Sequence, residues 1–164
     1  MTLETPPDAL AETSRAYRRA LGAFPTGVCV ITADSAQGPL GITVNSFTSV
    51  SLEPRLVLWC LDERSTRWQA FADAEAFNIH VLAADGEAAS RRFAKGPCEL
   101  AEGEFSRARG APILPGAVAR FDCIRHAAIE MGDHMIIVGR VEGFHTDEGS
   151  ALTFWRGRYG ETGA

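Results

Sequence analysis

Runs of apolar residues with strand-like spacing recur along most of the chain. The four-residue segment Gly38-Pro39-Leu40-Gly41 is predicted to form a turn between the first two of these runs, which begin at Val28 and at Ile42. Two long strands then share the turn Met131-Gly132-Asp133, and the chain ends in the apolar LTFWRGRYG. Together the pattern predicts six strands before this terminal segment: VCVITA (28–33), ITVNSFTSVSL (42–52), RLVLWCL (55–61), AFNIHVLA (76–83), 117–130 and 134–146.

Helical spacing occurs in three short segments. Asp8 is predicted to cap a first helix that reaches about Gly22 and is ended by Pro25. Ser65 is predicted to cap a short second helix, and Asp85 a third one with the sequence GEAASRRFA. One face of the first helix is defined by residues at steps of four and three: Leu10, Ser14, Tyr17, Leu21 and Phe24.

The order of these elements favours a mainly β fold with peripheral helices. No βαβ alternation is sustained, and a closed or nearly closed antiparallel barrel removes the exposed edges that so many strands would otherwise present. The segment Lys95 to Gly116 has no periodicity and is predicted to be a covering loop or a mobile one. With 164 residues and no linker or repeat, one domain is predicted over 1–164, residues 1–16 being an N-terminal extension and the start of the first helix.

Composition narrows the class of protein. The net charge is −5 with scattered Lys and Arg, which argues against a nucleic-acid partner because such a surface needs a concentrated basic face. There is no apolar signal segment and no run of membrane-spanning length, so no membrane partner is expected. The cysteines are too far apart for a CxxC pattern, and we expect reduced thiols and a cytoplasmic protein: Cys29, Cys60, Cys98 and Cys123.

Several motifs that carry chemistry are absent from the sequence. There is no GxGxxG after a strand, no P-loop and no GxSxG elbow, so a dinucleotide fold of the Rossmann type, a nucleotide triphosphatase and a hydrolase are disfavoured. No HExxH or related metal spacing is present. The remaining metal hypothesis, in which His126, His134 and His145 converge across strands, is disfavoured, and no metal is expected.

A dense row of uncharged polar residues stands out between two apolar runs. From Thr43 to Ser51, six of nine residues carry a hydroxyl or an amide and none is charged. Such a row can bind a phosphate through backbone N–H groups and hydroxyls. It can also bind a polar heterocycle, since Asn45 offers both a donor and acceptors to an imide edge. Phe47 and Val50 would then face the core and anchor the segment. The alternative is an edge strand whose polar face meets water and whose side chains bond to local turns. Spacing alone does not choose between these two interpretations.

Eight segments, in order from about residue 17 to 160, carry a resemblance to a known family. They are FPTGVCVIT (24–32), GITVNSFTSVSLEP (41–54), LVLWC (56–60), FNIHVL (77–82), RRFA (91–94), GAPILPGAVARFDC (110–123), GDHMIIVGRV (132–141) and RGRY (156–159). This set resembles the short-chain flavin reductases, the NAD(P)H-dependent reductase components of two-component flavin monooxygenases. Its most specific part is T-x-N-S-F-x-S-V-S-L-x-P together with the distant G-D-H.

The resemblance implies a fold, cofactors and partners. The fold would be a split β-barrel of antiparallel Greek-key type that binds FMN or FAD, with NADH or NADPH as hydride donor. Reduced flavin would pass to a partner monooxygenase. A homodimer is expected, because the family usually pairs and the N-terminal helix plus strands apolar on both faces exceed what one small barrel can cover. The 95–110 segment has no residue-by-residue match and is the part expected to select NADH or NADPH.

The resemblance also implies site residues. Flavin ring and ribityl contacts would fall on the polar row and on neighbouring segments: Thr43, Asn45, Ser46, Ser49, Val50, Ser51, Cys60, Pro25 and Thr26. The flavin phosphate would lie near four residues: Ser65, Phe93, Ala94 and Lys95. Tyr159 would cap the site from the C-terminus. His134 would be the catalytic residue that meets the nicotinamide, and Asp133 would fix its tautomer or cap the turn.

Hydride transfer between two cofactors explains why no catalytic dyad is visible. The protein need only stack the two rings with the reacting atoms about 3–3.5 Å apart and exclude competing chemistry. Two alternatives are a non-catalytic flavin-binding barrel that acts as carrier or sensor, and a flavin-free structural barrel. The first would retain flavin without reacting with nucleotide, and the second would leave the polar row unexplained.

Overall fold

The computed structural model of the protein describes residues 7–108 and 110–163. Residues 1–6 of the predicted extension and the side chains of Asp8 and Leu10 lie outside the described part. The elements are α1 (Pro7–Leu21), β1 (Thr26–Gly27), β2 (Cys29–Ser35), β3 (Gly38–Val44), β4 (Thr48–Leu52), β5 (Arg55–Asp62), α2 (Trp68–Asp73), β6 (Ala76–Leu82), α3 (Glu87–Lys95), β7 (Ser106–Ala108), β8 (Ala111–Ile113), β9 (Ala117–Met131), β10 (His134–Thr146), β11 (Leu152–Trp155) and β12 (Arg158–Glu161).

The strands form three antiparallel sheets. The largest has seven strands in the order β3-β2-β6-β9-β10-β5-β4, so strands distant in sequence pair at β2–β6 and β5–β10. A three-stranded sheet has the order β1-β11-β12, and β7–β8 is a separate hairpin. The prediction of a mainly β, antiparallel fold with short peripheral helices is therefore confirmed.

The core follows from alternation along the strands. On β5, Val57, Trp59 and Leu61 are buried while the residues between them are half-buried, as a strand with one core face requires. The Trp59 ring meets Phe71 of α2 edge-on, with ring centroids 5.4 Å apart, and Phe77 of β6 at 6.0 Å. These contacts fix α2 against the sheet.

Five local predictions are wrong. The first turn falls at Ala36-Gln37, and Gly38 to Gly41 belong to β3. The expected strand 42–52 is interrupted at 45–47, which separates β3 from β4. Helices α2 and α3 are preceded by Arg67 and Gly86, not by Ser65 and Asp85, and Asp8 is the second residue of α1. The starts implied by the predicted caps lie within two residues of the observed ones, and helix boundaries commonly vary by that much.

The segment predicted to be irregular, from Lys95 to Gly116, contains the β7–β8 hairpin and is anchored to the sheet. Asn78 on β6 donates to the carbonyls of Ala111 and Pro112 at 3.2 and 3.0 Å. The Leu114 N–H donates to His80 at 3.0 Å. Buried polar groups on β6 thus receive their partners from this segment, which makes it a cover for that part of the sheet.

Helix α1 leaves its apolar face uncovered. Tyr17 is 65% exposed, Leu21 56% and Phe24 74%. The described part of the predicted face, which includes Tyr17 and Leu21 of α1 and Phe24 just after it, is therefore largely exposed to solvent. Within residues 7–108 and 110–163, no helix has the length and apolar character needed to cross a membrane.

Candidate functional site

The polar row forms a bend between two strands. β3 ends at Val44 and β4 begins at Thr48, so Asn45 to Phe47 carry the chain from one strand to the next. Two cavities meet at this bend and share Asn45. The bend cavity, of about 590 Å³, is lined by Phe24, Pro25, Thr26, Gly27, Cys29, Asn45, Ser46, Phe47, Thr48, Ser49 and Val81. The Tyr159 cavity, of about 200 Å³, is lined by Val28, Thr43, Val44, Asn45, Ser90, Ala94, Phe154 and Tyr159.

The bend is held in place from both sides. The Cys60 N–H on β5 donates to the Ser46 hydroxyl at 2.9 Å, which ties the bend to the sheet. Phe47 packs on Phe121, with ring centroids 5.4 Å apart, as expected for a side chain facing the core. Val50 was expected to face the core as well, and that is wrong. The register shifts between Ser49 and Ser51 on β4, which leaves Val50 at a bulge and 50% exposed.

Three predicted residues are already bonded within the protein. The Thr43 hydroxyl donates to the Ser90 carbonyl at 2.8 Å, and the Ser90 and Tyr159 hydroxyls lie 2.8 Å apart. Ser46 is bonded to Cys60 as described above. Tyr159 also packs edge-on against Phe154, at a centroid distance of 5.2 Å. These groups shape the walls of the two cavities.

Other residues of the row keep free polar groups. Within the described residues, the side chains of Asn45, Thr48 and Ser49 have no hydrogen bond, although all three line the bend cavity. No charged side chain is among the described residues that line it. A neutral cavity with a free amide and hydroxyls fits a flavin ring, whose imide edge needs both a donor and an acceptor. Thr43 and Ser46 thus bond within the protein, as the edge-strand interpretation predicts, whereas Asn45, Thr48 and Ser49 keep groups free for a ligand, as the binding interpretation predicts.

Ser90 and Thr48 were missed by the sequence analysis. Ser90 is fully buried on α3, and it links Thr43 of β3 to Tyr159 of β12. Its signal was available, because Ser90 lies three residues before Phe93 and therefore on the same buried helix face. Thr48 lies within the polar row itself and was passed over in favour of its neighbours.

The segments expected near a phosphate come together at the end of α3. The Arg67 guanidinium donates to the Gly96 carbonyl at 3.1 Å, and the Arg67 N–H donates to the Ser65 hydroxyl at 3.2 Å. The contact between Arg67 and Gly96 places the start of α2 beside Ala94 and Lys95, which directly precede Gly96. Arg67 was not predicted, yet its Nε is buried and has no hydrogen-bond partner among the described residues.

Phe93 differs from its neighbours on α3. Its side chain is 2% exposed and belongs to a core cluster with Val28 and Val30. It also packs against Gly41, where an added Cβ would come within 2.7 Å of the Phe93 ring. The Phe93 side chain therefore packs in the core, so a contact between this residue and a phosphate would come from its backbone. That the segment Phe93 to Lys95 lies near the phosphate stays a prediction.

His134 lies at the turn between β9 and β10, where Gly132 has φ +64°. Its Nδ1 is 2.7 Å from Asp133 Oδ1, and this hydrogen bond is the main cause that lowers the pKa of the Asp133 carboxyl. The Glu63 N–H donates to the Asp133 carbonyl at 3.0 Å, which anchors the turn to the end of β5. With Nδ1 bonded to Asp133, Nε2 is the nitrogen left for a ligand.

The His134 turn and the bend are connected through β5. His134 lies opposite Asp62 across the β5–β10 pair, and Cys60, which is bonded to Ser46, is two residues from Asp62. Two strand residues span about 7 Å, so the turn and the bend share one end of the sheet. His134 itself does not line either of the two cavities formed by the described residues. Burial raises the pKa of the Cys60 thiol, so it stays protonated near neutral pH.

The histidines on β9 and β10 do not gather. His145 bonds to Asp147 at 3.2 Å, and His134 bonds to Asp133. In the part of the chain that the structure describes, no group of three or more His, Cys, Asp or Glu side chains is placed to hold a metal ion.

Comparison with known proteins identifies the family. The model of the flavin reductase-like domain matches residues 21–163, and the chain belongs to this family, which confirms the resemblance. FMN reductase (NADH) SmoA of Agrobacterium fabrum is 47% identical over 150 residues, covering 91% of this chain and 86% of that protein. Stachydrine N-demethylase reductase subunit Stc3 of Rhizobium meliloti is 44% identical, covering 88% of this chain and 64% of the longer relative.

A solved structure shares the fold over the full length. NADH:FAD oxidoreductase SgcE6 of Streptomyces globisporus, in complex with NAD and FAD fragments, superposes with a TM-score of 0.85. It is 34% identical, and the match covers 99% of this chain and 98% of that one.

Proposed function

We propose that the protein is an NAD(P)H-dependent flavin reductase that transfers a hydride from a reduced nicotinamide nucleotide to FMN or FAD. The reduced flavin then supplies a partner monooxygenase. The observation that carries the proposal is the neutral bend cavity, in which Asn45, Thr48 and Ser49 keep free hydrogen-bonding groups. Family membership and the names of the relatives support it. NADH is the proposed donor, because two relatives are named for it.

A bound flavin supplies the electron-accepting ring, and the chain supplies binding and orientation. Asn45 bonds the imide edge, while Ser46, Ser49 and Ser51 with Cys60 border the ring and ribityl chain. Pro25 and Thr26 form the opposite wall. The phosphate is held near Ser65, Ala94 and Lys95, with the half-buried Arg67 side chain beside them. Tyr159, fixed by Ser90, closes the far side.

His134 is proposed to contact the nicotinamide. Asp133 holds Nδ1 at 2.7 Å and so directs Nε2 away from the turn. His134 is 39% exposed, which leaves it accessible to a nucleotide arriving from solvent. Its role is to orient the donor ring over the bend cavity, so that the distance between reacting atoms is set by binding.

A homodimer is proposed on the apolar surface left exposed. On the sheet, Ile129 and Met131 of β9 are 46% and 59% exposed, and both point to the face that carries Ile136 and Cys60. Together with the uncovered face of α1, this is more apolar surface than a monomer usually shows. A second copy would bury it next to the His134 turn.

The dimer proposal has a direct test. Replacing Met131 with Lys should convert a dimer to a monomer in analytical ultracentrifugation, because the charge would be buried without a partner. Glu130→Lys, at a neighbouring exposed position whose side chain points to the other face, is the matched control. A wild-type protein that sediments as a monomer would contradict the proposal.

One domain over 1–164 and a cytoplasmic location are also proposed. The family model covers most of the chain, and all four cysteines are free thiols, which suits a reducing compartment.

The function is tested by turnover with free flavin. Purified protein is mixed with FMN or FAD and with NADH or NADPH, and nucleotide oxidation is followed by absorbance. A reductase accelerates oxidation only when flavin is present. A protein that stays yellow through purification and is not bleached by either nucleotide would instead be a carrier or sensor, and no oxidation above buffer with any pair rejects the proposal.

A further inference from the structure

An arginine-lined cleft lies outside the site described above. It has a volume of about 550 Å³ and forms where the end of α1 meets the turn between β11 and β12. Among the residues that the structure describes, five line it: Arg18, Arg19, Gly22, Arg156 and Gly157. Three of these five are arginines, and none is acidic. We call this feature the arginine cleft.

The two walls of the arginine cleft are fixed to each other. The Gly22 N–H donates to the Arg18 carbonyl at 2.9 Å, and the Arg156 N–H donates to the Gly22 carbonyl at 3.0 Å. The Trp155 indole N–H donates to the Ala23 carbonyl at 3.1 Å. The last two of these hydrogen bonds join the end of the helix to the hairpin turn. The cleft is a built feature of the fold.

Arg156 occupies an unusual backbone position. Its φ is +48°, and Gly157 follows at +79°, so both central residues of the two-residue hairpin loop are left-handed. Asn, Asp and Gly are the residues that normally occupy such a loop. An arginine there is conformationally unfavourable, and unfavourable backbone of this kind is concentrated at functional positions. The Arg156 guanidinium is also held, 4.8 Å above the Trp155 ring.

The positive charges of the cleft are not neutralised from within. Among the described residues, Arg18, Arg19 and Arg156 make no ion pair, whereas six other arginines do. Arg15 and Arg19 are also like charges at i and i+4 on α1, an arrangement that destabilises a helix. The helix dipole favours arginine near the end of α1 but does not account for Arg156, which comes from another element.

We propose that the arginine cleft binds the pyrophosphate group of a dinucleotide, an inference that rests on the proposed function and adds a subsite to it. Planar guanidinium groups bind phosphate oxygens in pairs, and three of them suit a pyrophosphate. The cleft also adjoins the bend cavity, since Gly22 lines the first and Phe24 the second. NADH, NADPH and FAD contain a pyrophosphate, and FMN does not.

Direct binding of inorganic pyrophosphate tests the cleft without turnover. Isothermal titration of the flavin-free protein should show binding that weakens at least about tenfold in Arg18→Gln and in Arg156→Asn. Asn suits a left-handed φ, so the second variant keeps the turn. Arg158→Asn, an exposed arginine on the same hairpin outside the cleft, is the matched control. Equal affinity in all four proteins, or an equal loss in the control, overturns the proposal.

Steady-state kinetics then identify which dinucleotide uses the cleft. If it is the hydride donor, KM for NADH rises in both cleft variants with FMN as the acceptor. If it is FAD, KM for FAD rises while KM for FMN is unchanged. Loss of pyrophosphate binding with every KM unchanged overturns the dinucleotide assignment. A wild-type protein that binds pyrophosphate but reduces no flavin rejects the reductase function and leaves the anion site standing.

Discussion

Stability should fall in mild acid because of one buried histidine. His80 on β6 is fully buried, and its Nδ1 lies 3.1 Å from the Val30 carbonyl. The Leu114 N–H donates to Nε2 at 3.0 Å. A carbonyl accepts and an N–H donates, so these partners require the neutral ring with its proton on Nδ1. Protonation would place a second N–H against that of Leu114 and a charge in the core.

The magnitude follows from the pKa. Burial, the largest cause, lowers the pKa of His80 from 6.5 to about 4, with nearby Arg120 acting in the same direction and the Val30 carbonyl and Asp122 opposing it. The unfolded chain therefore takes up a proton below about pH 6.5, while the folded protein does not until about pH 4. The contribution of neutral His80 to the free energy of unfolding is therefore complete above about pH 6.5 and is lost as the pH falls from there to about 4. At 1.36 kcal/mol per pH unit, the loss is about 3 kcal/mol.

Urea unfolding followed by tryptophan fluorescence measures the effect. The free energy of unfolding of the wild type should fall between about pH 7 and pH 4 by about 3 kcal/mol more than that of His80→Gln. His126→Gln, an exposed position on β9, is the control and should keep the steep wild-type dependence. Parallel pH curves for the wild type and His80→Gln would refute the reasoning.

Three further predictions concern the site. Asn45→Ala should weaken flavin affinity by about 1–3 kcal/mol in a fluorescence titration, since a buried imide loses its partner; unchanged affinity would remove Asn45 from the contact. His134→Gln should slow flavin reduction in single-turnover kinetics and leave flavin affinity nearly intact, and equal damage to both would contradict its role. Tyr159→Phe should lower the free energy of unfolding by about 1–2 kcal/mol, because Ser90 loses its partner. Adding Ser90→Ala should recover part of that loss, and a purely additive double variant would argue against the pair.

Sequence patterns were sufficient where one periodicity governed a segment. The alternation on β5 and the buried apolar run of β6 predicted both strands within one residue, because β5 has one face that must be buried and β6 is buried on both faces. The polar row around Asn45 was predicted to hold a ligand, and Asn45, Ser46 and Ser49 of this row line the bend cavity. That they bind a flavin stays a prediction. The interruption at 45–47 was missed because hydroxyl-rich segments fit a strand and a bend equally well.

Tertiary partners explain what the sequence could not predict. The anchoring of the 95–116 segment depends on polar groups of β2 and β6 that lie far away in sequence, such as Asn78 and His80. The inner bonds of Thr43 and Tyr159 both run to Ser90. The spacing between Ser90 and Phe93 indicates that Ser90 is buried, but it does not indicate these two distant partners. The arginine cleft joins α1 to the last hairpin, over more than a hundred residues, and no local pattern indicates such a meeting.

Anaerobic flavin bleaching tests the central claim most directly. Oxidised FMN or FAD is mixed with NADH and a catalytic amount of protein, and the loss of flavin absorbance is recorded for the wild type and for Asn45→Ala over a range of flavin concentrations. The account predicts bleaching proportional to the wild-type protein, slower with Asn45→Ala at low flavin and restored at high flavin. A rate equal to that of the protein-free mixture, or identical curves for the two proteins at every flavin concentration, would contradict it.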